Sequence, residues 1–111
     1  MAVSKREERI GRNEALFREV NERIERVTET LQVETLTILC ECGDPSCFEQ
    51  IEVSLPDYER VRADPTLFLI RVGHEHSDIE DVVEEHEDYH VIRKKNASAA
   101  AQARKLDPRG G

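Results

Sequence analysis

The stretch Cys40-Glu41-Cys42-Gly43-Asp44-Pro45-Ser46-Cys47 holds all three cysteines of a 111-residue chain. Thiols packed this closely supply most of a metal site, because structural zinc takes four tetrahedral ligands and prefers thiolate and imidazole. Cys-x-Cys is tighter than the commoner Cys-x2-Cys spacing, so the motif is moderately specific. Gly43 allows the chain to turn sharply between Cys42 and Cys47, and Asp44-Pro45 marks that turn. A fourth ligand has to come from elsewhere. Of the four histidines, His74 follows Gly73 at the end of an apolar run, where the backbone can bend to present a ring. The expected centre is therefore structural Zn2+ on Cys40, Cys42, Cys47 and His74. His76 is the alternative fourth ligand, and buried or redox-active thiols are the reading without metal.

On either side of this loop the residues read as strands. Thr35–Leu39 is rich in Thr, Leu and Ile. Beyond Cys47, Ile51, Val53 and Leu55 alternate with Gln50, Glu52 and Ser54, which predicts a half-buried strand of roughly eight residues. Ser54 and Pro56 open a short helix that ends at Asp64-Pro65. Leu67–Val72 reads as a third and central strand. His74 reaches Cys47 if this strand runs antiparallel to the second, and the short connection between them favours that over a parallel crossover. Ser77 with Glu80 forms a capping-box pattern, which together with Ile79, Val82, Val83 and His86 predicts another short helix. Tyr89–Arg93 reads as a last, short strand.

Residues 4–31 predict one long helix. Ile10, Phe17, Ile24 and Leu31 share one heptad position, and Asn13, Val20 and Val27 another. The fold class expected is α+β: a long N-terminal helix plus a small, mainly antiparallel sheet with two short helices, stapled by the zinc site. The expected organisation is an amphipathic helix (residues 1–33), a zinc-binding domain (34–94) and a basic, mostly disordered tail (95–111) in which Ala97–Arg104 can form nascent helix. Only 38% of the residues are hydrophobic and Trp is absent. A core that small commonly leans on a metal or a partner.

Charge is distributed unevenly. Residues 34–92 carry three arginines against sixteen acids, a net of −13, whereas residues 93–111 carry six basic side chains and one acid. An acidic globule is a poor partner for phosphate backbones, whose affinity comes from Lys and Arg, so only the 93–109 tail could touch nucleic acid, and weakly. The longest aliphatic or aromatic run is Leu67-Phe68-Leu69-Ile70, too short for a membrane span or a secretory signal. A cytoplasmic location follows as the expectation, and an odd thiol count in a reducing compartment favours metal or redox chemistry over disulfides.

Enzyme signatures fail in turn. His74-Glu75-His76 lacks the spacing of a metalloprotease helix, and the cysteines precede the histidines, unlike zinc deaminases. No phosphate loop or Gly-x-Ser-x-Gly elbow is present. Arg12-Asn13-Glu14, Phe17-Arg18, Val20-Asn21-Glu22, Leu39-Cys40-Glu41-Cys42-Gly43, Cys47, Tyr58-Glu59, Val61-Arg62, Pro65, Phe68 and Gly73-His74-Glu75 resemble a group of small uncharacterised bacterial proteins. The group shares a Cys-Glu-Cys loop and a downstream Gly-His-Glu step. The resemblance spans about residues 12–93; it implies that His74 joins the cysteines and carries no activity with it. The functional expectation is a non-enzymatic, zinc-stabilised interaction or regulatory module. Its contacts are to a protein partner or a homodimer through the Ile10/Phe17/Val20/Ile24/Val27 helix face. The alternative is a redox- or metal-responsive switch built on Cys40, Cys42 and Cys47.

Overall fold

Helix α1 (Lys5–Thr30) begins where Ser4 accepts the Glu7 N–H, and Glu7 and Glu8 complement the positive end of its dipole. The computed structural model describes residues 4–109. Gln32, in the left-handed region at φ 59°, turns the chain out of the helix in the conformation that ends many helices. Strands β1 (Thr35–Leu39) and β2 (Gln50–Ser54) pair antiparallel. Leu36 faces Val53 and Ile38 faces Ile51 across that ladder, and all four are buried. The cysteine stretch is the loop of this hairpin. Helix α2 (Leu55–Arg62) is capped by Ser54, with Pro56 in its first turn.

A second sheet follows, in the order β3 (Leu67–Arg71), β5 (Tyr89–Lys94), β4 (Glu80–Glu85), with both pairings antiparallel. Helix α3 (Ala97–Lys105) closes the chain against α1. The architecture is α+β: a long N-terminal helix, two small antiparallel sheets and two short helices. Leu36, Ile38, Ile51, Tyr58, Phe68, Leu69, Ile70 and Ile92 form the centre of the core.

Five expectations are corrected. Residues 80–85 form a strand and not a helix. Their acidic and β-branched side chains suit the edge beside β5, and Glu80 accepts the His76 N–H instead of completing a helix cap. Residues 97–105 of the expected disordered tail are helical. Asn96 caps α3, and Ala99, Ala100 and Ala103 bury a small-residue face that lets it lie close to α1. Strand β2 starts at Gln50 because Cys47–Glu49 belong to the loop. It pairs with β1 and not with β3, and β3 is an edge strand of its sheet, buried nonetheless.

The face of α1 that meets the domain is also unexpected. Ile10 and Phe17 are buried, which removes them from any contact surface, but so are Glu14, Arg18, Asn21, Glu22 and Glu25. Leu16, Val20, Val27 and Leu31 point into solvent instead. Asn13, at a seam position, donates to the Gly43 carbonyl at 3.0 Å and so fastens the cysteine loop. Among the described residues no helix is long and apolar enough to cross a membrane.

Candidate metal centre

The Cys-x-Cys spacing works here because the chain leaves β1 still extended. Successive side chains of extended backbone point to opposite sides, so Cys40 and Cys42 face one way and Glu41 the other. The Cys40 N–H donates to the Glu49 carbonyl and the Glu41 N–H to the Leu69 carbonyl, each at 2.8 Å. The root of the loop is thus stitched to the end of the hairpin and to β3. Gly43 then turns the chain at φ +83°, with Ile10 Cγ2 and the Ile10 carbonyl oxygen each 2.8 Å from where a Cβ would be. Asp44 folds the tip: its carboxylate accepts the Ser46 N–H and hydroxyl, and its carbonyl accepts the Cys47 N–H.

His74 arrives from the end of β3. Gly73 is left-handed at φ +86°, and the His74 N–H closes a turn on the Arg71 carbonyl. The ring nitrogen Nδ1 lies 3.5 Å from Cys40 Sγ and 3.7 Å from Cys47 Sγ. One ligand atom from each of Cys40, Cys42, Cys47 and His74 lies within 4.8 Å of the other three. A zinc tetrahedron with bonds of about 2.3 Å to sulfur and 2.0–2.1 Å to nitrogen has sulfur–nitrogen edges of about 3.6 Å. The observed separations fit those edges, so the group is compatible with a metal ion.

The surrounding groups suit that use. His74 Nε2 sits 3.1 Å from a Glu49 carboxylate oxygen. A carboxylate accepts, so Nε2 carries the proton and Nδ1 turns its lone pair toward the sulfurs. Each sulfur also accepts a backbone N–H: Cys40 from Arg71 at 3.2 Å, Cys42 from Asp44 and Cys47 from Glu49. Such bonds favour thiolate over thiol. The hydrogen bond from the Cys40 thiol holds Cys42 down at about 5. The same bond, with burial, pushes Cys40 up, and burial raises Cys47.

His76, the alternative ligand, is turned away from the sulfurs. Its Nε2 lies 2.8 Å from the Cys42 carbonyl oxygen, which can only accept, so that nitrogen is a donor. The histidine braces the loop. His86 stacks on Tyr89 at 4.4 Å, and His90 lies near Glu75 and Glu85; neither joins the cluster.

Behind the cysteines lie Glu41, Asn21, Arg62 and Glu14, residues that the resemblance includes without giving them a role. Glu41 is fully buried and accepts from Arg62 at 2.6 Å, Asn21 at 2.8 Å and the Leu69 N–H at 2.9 Å. Asn21 also exchanges two hydrogen bonds with the Leu39 backbone, fixing the exit from β1. Glu14 and Glu80 hold the buried Lys94 ammonium between them, and Glu80 in turn holds the His76 N–H at 3.0 Å. Glu41 stands between two cysteines in an extended segment. That place aims it opposite to them and into the core.

No family model, no curated protein and no solved structure matches this chain.

Proposed function

We propose that Cys40, Cys42, Cys47 and His74 hold one structural Zn2+ and that the protein acts, without catalysis, as an interaction or regulatory module. The observation that carries the metal reading is the His74 ring. Its Nδ1 sits at tetrahedral-edge distance from two sulfurs while Glu49 takes the proton of Nε2. Three thiolates and an imidazole favour zinc over hard cations, which take oxygen ligands. Four protein ligands complete the tetrahedron, so no position remains for a reacting water, which is the mark of a structural rather than a catalytic site.

The interaction reading is supported by α1. This helix spends glutamates and an arginine on its buried face and leaves Leu16, Val20, Val27 and Leu31 in solvent, with Ile24 partly covered. Apolar residues aligned on one exposed face mark a contact surface more often than chance does. A protein partner or a second copy of the chain would cover it.

Elemental analysis of purified protein tests the first half. One zinc per chain is expected, with less than half retained by Cys42→Ser and by His74→Ala; full retention by His74→Ala would remove His74 from the ligand set. The second half is tested by Val20→Glu with Val27→Glu. Zinc content and circular dichroism should be unchanged while self-association in analytical ultracentrifugation, or capture of a partner, is lost. Unchanged association would send the search away from α1.

A further inference from the structure

We infer that the centre is also a site of oxidation by peroxide, at one defined pair, Cys47 with Cys42, and that Cys40 stays reduced. The inference rests on the zinc reading for its consequence, metal release, and on the loop geometry for its choice of sulfurs.

Access distinguishes the three thiols. Cys40 is fully buried at the root of the loop, where Arg71 of β3 donates to it. Cys47 is the only one of the three that is partly exposed. An open cleft lined by Cys42, Cys47, Asp44, Phe48, Glu49 and His76 leads to the cluster, and Cys40 does not line it. A small oxidant entering there meets Cys47 first and Cys42 behind it.

The loop also makes these two the natural pair. Cys42 and Cys47 bound one six-residue turn, whose ends are drawn together by the Gly43 bend and by the Cys47 N–H on the Asp44 carbonyl. Joining them moves no strand. Joining either to Cys40 would pull on the root of the loop, which Glu41 locks to Arg62 and Leu69.

The chemistry balances with hydrogen peroxide as the oxidant. The Cys47 thiolate attacks one peroxide oxygen; the O–O bond breaks, Cys47 becomes a sulfenic acid and hydroxide leaves. The Cys42 thiolate then attacks the Cys47 sulfur, forms the S–S bond and expels the second hydroxide. Two thiolates lose two electrons in all, and peroxide is reduced to two hydroxides. A metal left with only Cys40 and His74 dissociates. A dithiol reductant reverses the reaction by exchange.

The test uses full-length protein whose zinc content has been measured beforehand. It is treated with one equivalent of hydrogen peroxide while a chromogenic chelator reads released metal. Remaining thiols are alkylated, and the chain is cut after Glu41 so that Cys40 falls in a separate peptide. Expected are one zinc released per disulfide, the alkyl label on Cys40 alone in the oxidised fraction, and recovery of both zinc and thiols on reduction with added zinc. Label on Cys42 or Cys47 in that fraction, or irreversible sulfinic acid without a disulfide, would overturn the pairing. Protein that carries no zinc at the outset would sink the structural-zinc reading and the release step with it, while its label pattern would still judge the pairing. Cys47→Ser, checked for folding by circular dichroism, should consume peroxide about tenfold more slowly, in line with its greater exposure; an equal rate would also overturn the proposal.

Discussion

Glu41 shows how one side chain binds the candidate centre to the fold. It is surrounded by donors from α1, α2 and β3, and the Arg62 it faces is equally buried and lies 5.0 Å from the Tyr58 ring centroid. Removing one member of a buried pair strands the other charge, at a cost of about 3–5 kcal/mol. Glu41→Gln keeps the shape and loses the charge, so it should destabilise the protein by roughly that amount in urea denaturation. Because the same backbone segment carries Cys40 and Cys42, retention of the proposed zinc under chelator should fall with it. Unchanged stability would mean that Arg62 finds another partner. Arg18 plays a related part between elements: it donates to the Pro65 and Ala103 carbonyls at 2.7 and 2.9 Å and lies against the Phe68 ring.

Two glycines separate strain from crowding at the scale of the elements that present the ligands. Both Gly43 and Gly73 are left-handed. An added Cβ at Gly73 meets nothing within 4 Å, whereas at Gly43 it meets the Ile10 carbonyl at 2.8 Å, a backbone atom that cannot swing aside. Gly73→Ala should therefore cost only the left-handed penalty of about 1–2 kcal/mol. Gly43→Ala adds a clash between the cysteine loop and α1, and should cost at least about 1 kcal/mol more and loosen the proposed zinc; thermal melts of the two variants, with zinc content, make the comparison. Strand β4 carries a different lesson. Local turn bonds do form there, with the Ile79 and Glu80 N–H groups on the His76 carbonyl, yet the chain continues as a strand. Pairing with β5 decides it, and the charged, bulged edge that results resists further strand addition.

Across the whole molecule the C-terminal segment closes over the junction of α1 and α2. Arg109 binds Glu22 and Glu59, and Tyr58 donates to Glu22 at 2.9 Å. Glu25 faces the same cleft, with Glu22, Arg26 and Glu29 of α1, Glu59 of α2 and Arg109 around it. A hydrogen bond to Glu59, then burial, raises the Glu25 carboxyl to about 7, while the Arg109 contact lowers Glu59. The sign follows from proton counts. A carboxyl raised in the folded state binds its proton there more tightly than in the unfolded chain. Its contribution is complete below the unfolded value and is lost as pH rises through about 7. Relative to Glu25→Gln, the parent should lose on the order of 1 kcal/mol of stability between pH 5 and 8, solvent screening keeping the effect small. Parallel stability–pH curves for the two proteins would refute it.

The sequence alone determined the things that spacing along the chain can encode. An extended Cys-x-Cys puts two sulfurs on one side, a glycine before His74 lets a ring turn back, and alternation in β1 and β2 marks the faces that meet in the core. The long helix was legible from its heptads, and α+β from the mixture of periods. Only the tertiary structure decided which face of α1 is buried, that residues 80–85 are a strand, and that the Ala-rich segment docks as α3. The physical reason is shared by all three. Each depends on charges or backbones outside its own segment that satisfy one another: Lys94 with Glu14, Arg18 with Ala103, β4 with β5. Periodicity equates buried with apolar, and a buried charge whose partner lies eighty residues away leaves no mark in its own segment.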